Sequence, residues 1–147
     1  MRKVYIGADH RGFKIKSELV EELRQKEWEV IDLTNKYDEK DDYPDIAISL
    51  GEKVVSEKAL GVLICGSGAG VCAAVNKVKG VRGAMALNAR QARKMKEDDD
   101  INVLCLSADF TTFEENLEIT EEFLKAVFMT EERFIRRINK IKKYETA

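Results

Sequence analysis

The chain has 147 residues, 44% hydrophobic and 35% charged, with a formal net charge of −2. That size suits one domain, read here as residues 1–147, with a core large enough to be stable alone. The charge balance gives no overall case for nucleic-acid binding, and no apolar run reaches the length of a membrane span.

Strand and helix patterns alternate along the chain. It opens Met1-Arg-Lys-Val-Tyr-Ile-Gly, without the long apolar region of a signal peptide, so the expected setting is the cytoplasm. Val4 to Ala8 reads as a buried strand, Phe13 to Lys26 as an amphipathic helix, and Glu29 to Leu33 as a second strand. Asn35 to Asp45 is polar, holds the only proline, Pro44, and has the length of a functional loop. Ile46 to Ser56 reads as helix, Gly61 to Cys65 as strand, and Gly70 to Lys77 as helix. Val81 to Leu87 and Val103 to Leu106 are further strands, with Ala89 to Lys96 helical between them. Glu114 to Phe128 and Glu131 to Tyr144 carry apolar residues at three- and four-residue spacing and read as long helices. Lys142 to Ala147 is expected to be a disordered tail.

Five strands alternating with helices imply an α/β fold, a Rossmann-like three-layer αβα sandwich around a five-stranded parallel sheet. Right-handed crossovers favour the strand order 2-1-3-4-5, whose switch point lies between the first and third strands. The carboxyl ends of those two strands then share one crevice. They are Asp9-His10 and Cys65-Gly-Ser-Gly.

Val62 to Gly70 runs from an apolar strand through a cysteine into a glycine-punctuated loop. The glycines at 66, 68 and 70 match neither a P-loop nor a complete dinucleotide fingerprint, and leave a short nest suited to one oxyanion or phosphate. Cys65 is the cysteine with an activating setting, although a buried strand-end residue reads equally well. Cys72 and Cys105 read as small core residues. Asp9 and His10 suit either ligand binding and proton transfer or, for Asp9, the capping of the next helix. Asp42-Tyr43-Pro44 reads as a rigid turn or as a tyrosine presented to the crevice. Arg133, Arg136, Arg137, Lys140, Lys142 and Lys143 read as a solvated helix face or as an anion contact. Three widely spaced cysteines, one histidine and no CxxC argue for a reducing compartment and against a disulfide framework or a zinc site.

Together these residues resemble the ribose-5-phosphate isomerase B family, which includes the galactose-6-phosphate isomerase subunits. The matching segments are Ile6 to His10 with Gly12-Phe13, Glu29 to Asp32, Asp42 to Pro44, Leu63 to Gly70, Ala74 to Lys77 with Gly80 to Arg82, Asn102 to Leu104, and Arg133 with Arg136-Arg137. The resemblance implies aldose–ketose isomerisation of a sugar phosphate through a cis-enediolate, with no metal and no cofactor. In that scheme Cys65 moves the proton between C1 and C2, Ser67 assists transfer between the oxygens, and the amides of Gly66, Gly68 and Gly70 hold the enediolate. Asp9, Tyr43 and Asn88 fall at sugar-binding positions, and His10 at the phosphate end. Arg133 and Arg137 are contributed by the partner in a homodimer (or tetramer) with shared sites.

The same resemblance exposes departures. The usual ring-opening histidine is absent: its two possible places are Asn88 and the segment Asp98-Asp99-Asp100, which leaves ring opening to Asp98 or another group, or leaves the enzyme to use the free open-chain sugar. An asparagine that normally binds substrate is Asp99 here, and a phosphate-binding arginine after the fifth strand is Asp109. The C-terminal Gly-Gly-Arg-His of relatives reads Glu131-Glu-Arg-Phe134. A charge reversal near a partly buried phosphate costs about 1–3 kcal/mol, so a substrate other than ribose 5-phosphate, or slow turnover, is expected. The alternative function is a non-catalytic or partner-dependent sugar-phosphate-binding subunit. A flavin module finds little support.

Overall fold

The structure, a computed structural model, describes residues 3–147. Its elements run β1 (Lys3–Ala8), α1 (Phe13–Gln25), β2 (Glu29–Asp32), α2 (Tyr43–Glu57), β3 (Leu60–Cys65), α3 (Ala69–Val75), β4 (Gly83–Met85), α4 (Ala89–Asp99), β5 (Val103–Ser107), α5 (Phe113–Lys125) and α6 (Glu132–Glu145). The strands form one parallel sheet, as the strand–helix alternation predicts.

Alternation along each strand sorts the core into two layers. Val4, Ile6, Ala8, Val62, Ile64, Leu104 and Leu106 face α1, α4 and α5, where Leu19, Leu23, Ala92, Ile119 and Phe123 meet them. Tyr5, Leu63, Cys65, Val103 and Cys105 face α2 and α3, against Ala47, Leu50, Val54, Val71 and Val75. No helix among the described residues is long and apolar enough to cross a membrane.

The strand order is β2-β1-β3-β5-β4, which corrects the expected 2-1-3-4-5. β5 is buried along its whole length, Val-Leu-Cys-Leu-Ser, and takes the inner place beside β3. β4 has only three residues, ends exposed at Met85, and forms the edge. It is shorter than Val81–Leu87 because its flanks bond elsewhere: Arg82 N–H to Asn102 Oδ1 at 2.7 Å, Leu87 N–H to Gln91 Oε1 at 2.6 Å. The switch point stays between β1 and β3, but the end of β5 now borders the crevice.

Two further corrections concern helices. α5 stops at Lys125, where Ala126 turns extended, and Met129 N–H then bonds Glu97 O at 2.9 Å beneath α4. The tail from Lys142 is not a loose end: α6 continues to Glu145, whose carboxylate accepts from Gly80 N–H at 3.1 and 3.2 Å.

Candidate active site

The site is built on the carboxyl ends of three neighbouring strands. Cys65 closes β3, with 4% of its surface exposed. Its Sγ accepts from Gly68 N–H at 3.2 Å, so the loop folds back over the thiol. That turn needs Gly68 in the left-handed region, φ +82°, which a side chain would strain. Ser67 is exposed, and its Oγ accepts from Ala69 N–H at 3.2 Å.

The end of β5 supports this loop, a role that sequence reading missed. Ser107 Oγ donates to Gly66 O at 2.8 Å, Asp109 N–H to the same carbonyl at 2.9 Å, and Ala108 N–H to Cys65 O at 2.9 Å. Only the true strand order brings those residues beside Cys65.

From β1 the chain contributes Asp9, His10 and Arg11. Asp9 is buried, and its Oδ1 accepts from the backbone of Arg11 at 3.0 Å and of Gly12 at 3.1 Å. Asp9 therefore does not cap α1, whose N-cap is Gly12 without a side-chain hydrogen bond; it closes the turn ahead of the helix, which fixes its carboxyl group at the crevice. His10 Nδ1 lies 2.8 Å from Asp41 Oδ1, which also accepts His10 N–H at 3.1 Å. That hydrogen bond holds the imidazole above its ordinary pKa, against a smaller lowering by burial. Arg11, which no sequence motif singles out, reaches across to Asp109 and pairs with Oδ2 through a guanidinium nitrogen.

Tyr43 is the first residue of α2, with Pro44 behind it at a position where a missing N–H costs nothing. The segment opens a helix rather than forming a free turn. A Cβ placed on Gly70 would meet the Tyr43 ring at 2.8 Å, so the ring lies against the loop.

The remaining predicted site residues are elsewhere. Asn88 caps α4, its Oδ1 accepting from Gln91 N–H at 2.8 Å. It follows the edge strand, two strands from Cys65. Asp98 and Asp99 end α4 just before the amino end of β5, whereas Cys65 pairs with Ser107 at the carboxyl end. The strand between them rises roughly 13 Å. Asp98 Oδ1 pairs with Lys94 Nζ at 3.2 Å. Arg133 and Arg137 stand exposed on α6, which runs from the Glu97 region to Gly80, also at the amino end. Arg133 pairs with Glu131 at 2.9 Å and lies over the Phe134 ring. One chain therefore does not gather Asp98, Asp99, Arg133 and Arg137 around its own Cys65.

The other two thiols act on each other. A hydrogen bond with Cys105 lowers Cys72 to about 7, while that contact and burial push Cys105 well up. Among the described residues, no three His, Cys, Asp or Glu side chains are grouped as metal ligands would be.

The family described as ribose/galactose isomerase matches residues 4–141. A probable ribose-5-phosphate isomerase B of Mycoplasma genitalium is 46% identical over 145 residues, covering 97% of this chain and 95% of that protein. The crystal structure of ribose-5-phosphate isomerase B from Mycoplasma genitalium with bound ribulose-5-phosphate superposes with a TM-score of 0.93 at 44% identity, covering 98% and 96%. The type B ribose 5-phosphate isomerase of Trypanosoma cruzi gives 0.94 at 37%, covering 99% of each chain. With its crevice at the β1–β3 switch point and a match along nearly its whole length, this chain belongs to the ribose/galactose isomerase family.

Proposed function

We propose that this protein interconverts ribose 5-phosphate and ribulose 5-phosphate, with Cys65 as the base that moves the proton between C2 and C1. The observation that carries the assignment of the base is the Cys65 thiol folded beneath its own glycine loop, with Gly68 N–H on Sγ at 3.2 Å. The thiolate takes the C2 proton of the open-chain aldose, the electron pair moves onto O1, and the cis-enediolate forms. Returning the proton to C1 gives the ketose. Ser67 shuttles the proton from O2 to O1. Gly68 and Ala69 amides are already engaged within the loop, so those of Gly66, Ser67 and Gly70 hold the enediolate oxygens. Tyr43 and Asp9 position the sugar, and His10, its proton held by Asp41, meets the phosphoryl group.

Asp98, Asp99, Arg133 and Arg137 serve a site only when a second copy brings its amino-end face over this crevice. A homodimer with shared sites is the arrangement that uses them, and ring opening falls to Asp98 of the partner subunit. Such an enzyme works in the cytoplasm, with residues 1–147 folded as one domain and without a cofactor.

The test is incubation with ribose 5-phosphate in D2O, following the C1 and C2 protons by NMR. Exchange and conversion, both lost in Cys65→Ala, are expected, because a positioned base contributes about 10²–10⁴-fold. Exchange that persists in the folded variant refutes Cys65 as base, and none in the wild type refutes the assignment. A purely binding subunit has less in its favour: Cys65, the loop, Asp9 and Tyr43 are all present and assembled.

A further inference from the structure

We infer that Arg11, aimed by Asp109, is the side chain through which this enzyme reads the phosphoryl group of its substrate. The inference rests on the isomerase assignment above. A Cβ placed on Gly66 would lie 2.8 Å from Arg11 Cζ and Nε and 2.9 Å from Asp109 Oδ2. The guanidinium is therefore laid across the first residue of the loop that carries the oxyanion amides. Arg11 spans from the end of β1 to the end of β5, over the end of β3 between them. Its side chain is 60% exposed, so it is a rim group open to a ligand rather than a core pair.

The chemistry fits a doubly charged oxyanion. Asp109 engages Arg11 through one nitrogen, and the planar fork has further N–H donors for a second partner. His10, next in sequence, is held by Asp41 in a similar way, so two adjacent basic side chains on one turn are each set by a carboxylate. Tyr43 and Gly70 bound the opposite side of the loop. A substrate with C1 and C2 over Cys65 then extends its phosphoryl group toward the His10–Arg11 turn. Asp109 alone would repel such a group. Paired with Arg11 it becomes the positioning residue of a neutral couple, so its carboxylate does not by itself disqualify a phosphorylated sugar.

Steady-state kinetics with ribose 5-phosphate, and competitive inhibition by inorganic phosphate, test the assignment on Arg11→Met, Asp109→Asn and the double variant. Arg11→Met should raise KM and the phosphate Ki at least about tenfold, the loss of one charge-assisted contact, with kcat within about threefold. Asp109, left unpaired, accounts for part of that loss, so Asp109→Asn added to Arg11→Met should recover part of both constants. A purely structural pair would show no such recovery. Unchanged KM and Ki in a folded Arg11→Met enzyme overturn the inference, as does a double variant no better than Arg11→Met. A wild-type protein that does not isomerise ribose 5-phosphate overturns instead the reading on which it rests.

Discussion

Gly12 is the position where one added methyl group should test how the site is held together. An alanine Cβ there would stand 2.6 Å from Ile64 O, 2.8 Å from Ile64 C and 2.8 Å from Ile64 Cγ2. Two of those atoms are backbone of the central strand, which cannot swing aside. Ile64 O also accepts the Asp9 N–H at 3.3 Å, and Cys65 is the next residue. Relief of the overlap must therefore push the β1–α1 turn away from β3. Overpacking against an unyielding neighbour costs about 1–3 kcal/mol, and the strained Asp9 bond adds about 1, giving about 2–4 kcal/mol. At about 2–4 °C per kcal/mol for a chain near this size, the melting temperature should fall by roughly 5–15 °C. Calorimetry at fixed protein concentration reads the shift, and kcat for ribose 5-phosphate should fall with it as Asp9 and Cys65 separate. Gly66→Ala is the matched control. Its Cβ meets only the ends of the Arg11 and Asp109 side chains, which can move, so Tm should stay within about 2 °C while KM rises. A Gly12→Ala protein with wild-type Tm and kcat would refute the view that close approach at this point sets the crevice.

Three further outcomes follow from the geometry. His10 has its pKa raised by Asp41, so the charge favouring phosphate is present at low pH and is lost as pH climbs through that raised value. Asp41→Asn should move the rise in KM to lower pH, and superimposable KM–pH profiles would count against His10 at the phosphate. If sites are shared, inactive Cys65→Ala and inactive Arg133→Met/Arg137→Met proteins should regain about a quarter of wild-type activity when co-refolded, the statistical share for randomly paired two-fold dimers. A mixture as inactive as its components would mean each chain uses its own arginines. Alkylation of Cys72 should show a midpoint near 7, and Cys105→Ala should move it upward, because the Cys105 hydrogen bond is what lowers it. A midpoint unmoved by that variant would remove the thiol pair.

Much of this was legible in the residues because it depends on local pattern. Apolar strands such as Val62 to Cys65, and the three- and four-residue spacing of the helices, follow from periodicities that any reader can count. Cys65 followed by three spaced glycines marked the loop, since only a few residue types tolerate such a turn and such close approaches. The neighbour of β3 was a different matter. Nothing local distinguishes β4 from β5 as the inner strand, and only packing of the fully buried β5 against both layers decides it. That choice places Ser107 and Asp109 on the loop, and with them Arg11, whose partner lies 98 positions away in sequence. The parallel run of the strands puts Asp98, Asp99, Arg133 and Arg137 at the far end of the sheet, away from the crevice of their own chain. Sequence determined which groups this protein has for its chemistry; the tertiary structure decided which of them meet, because long-range pairing depends on how the whole sheet buries its faces.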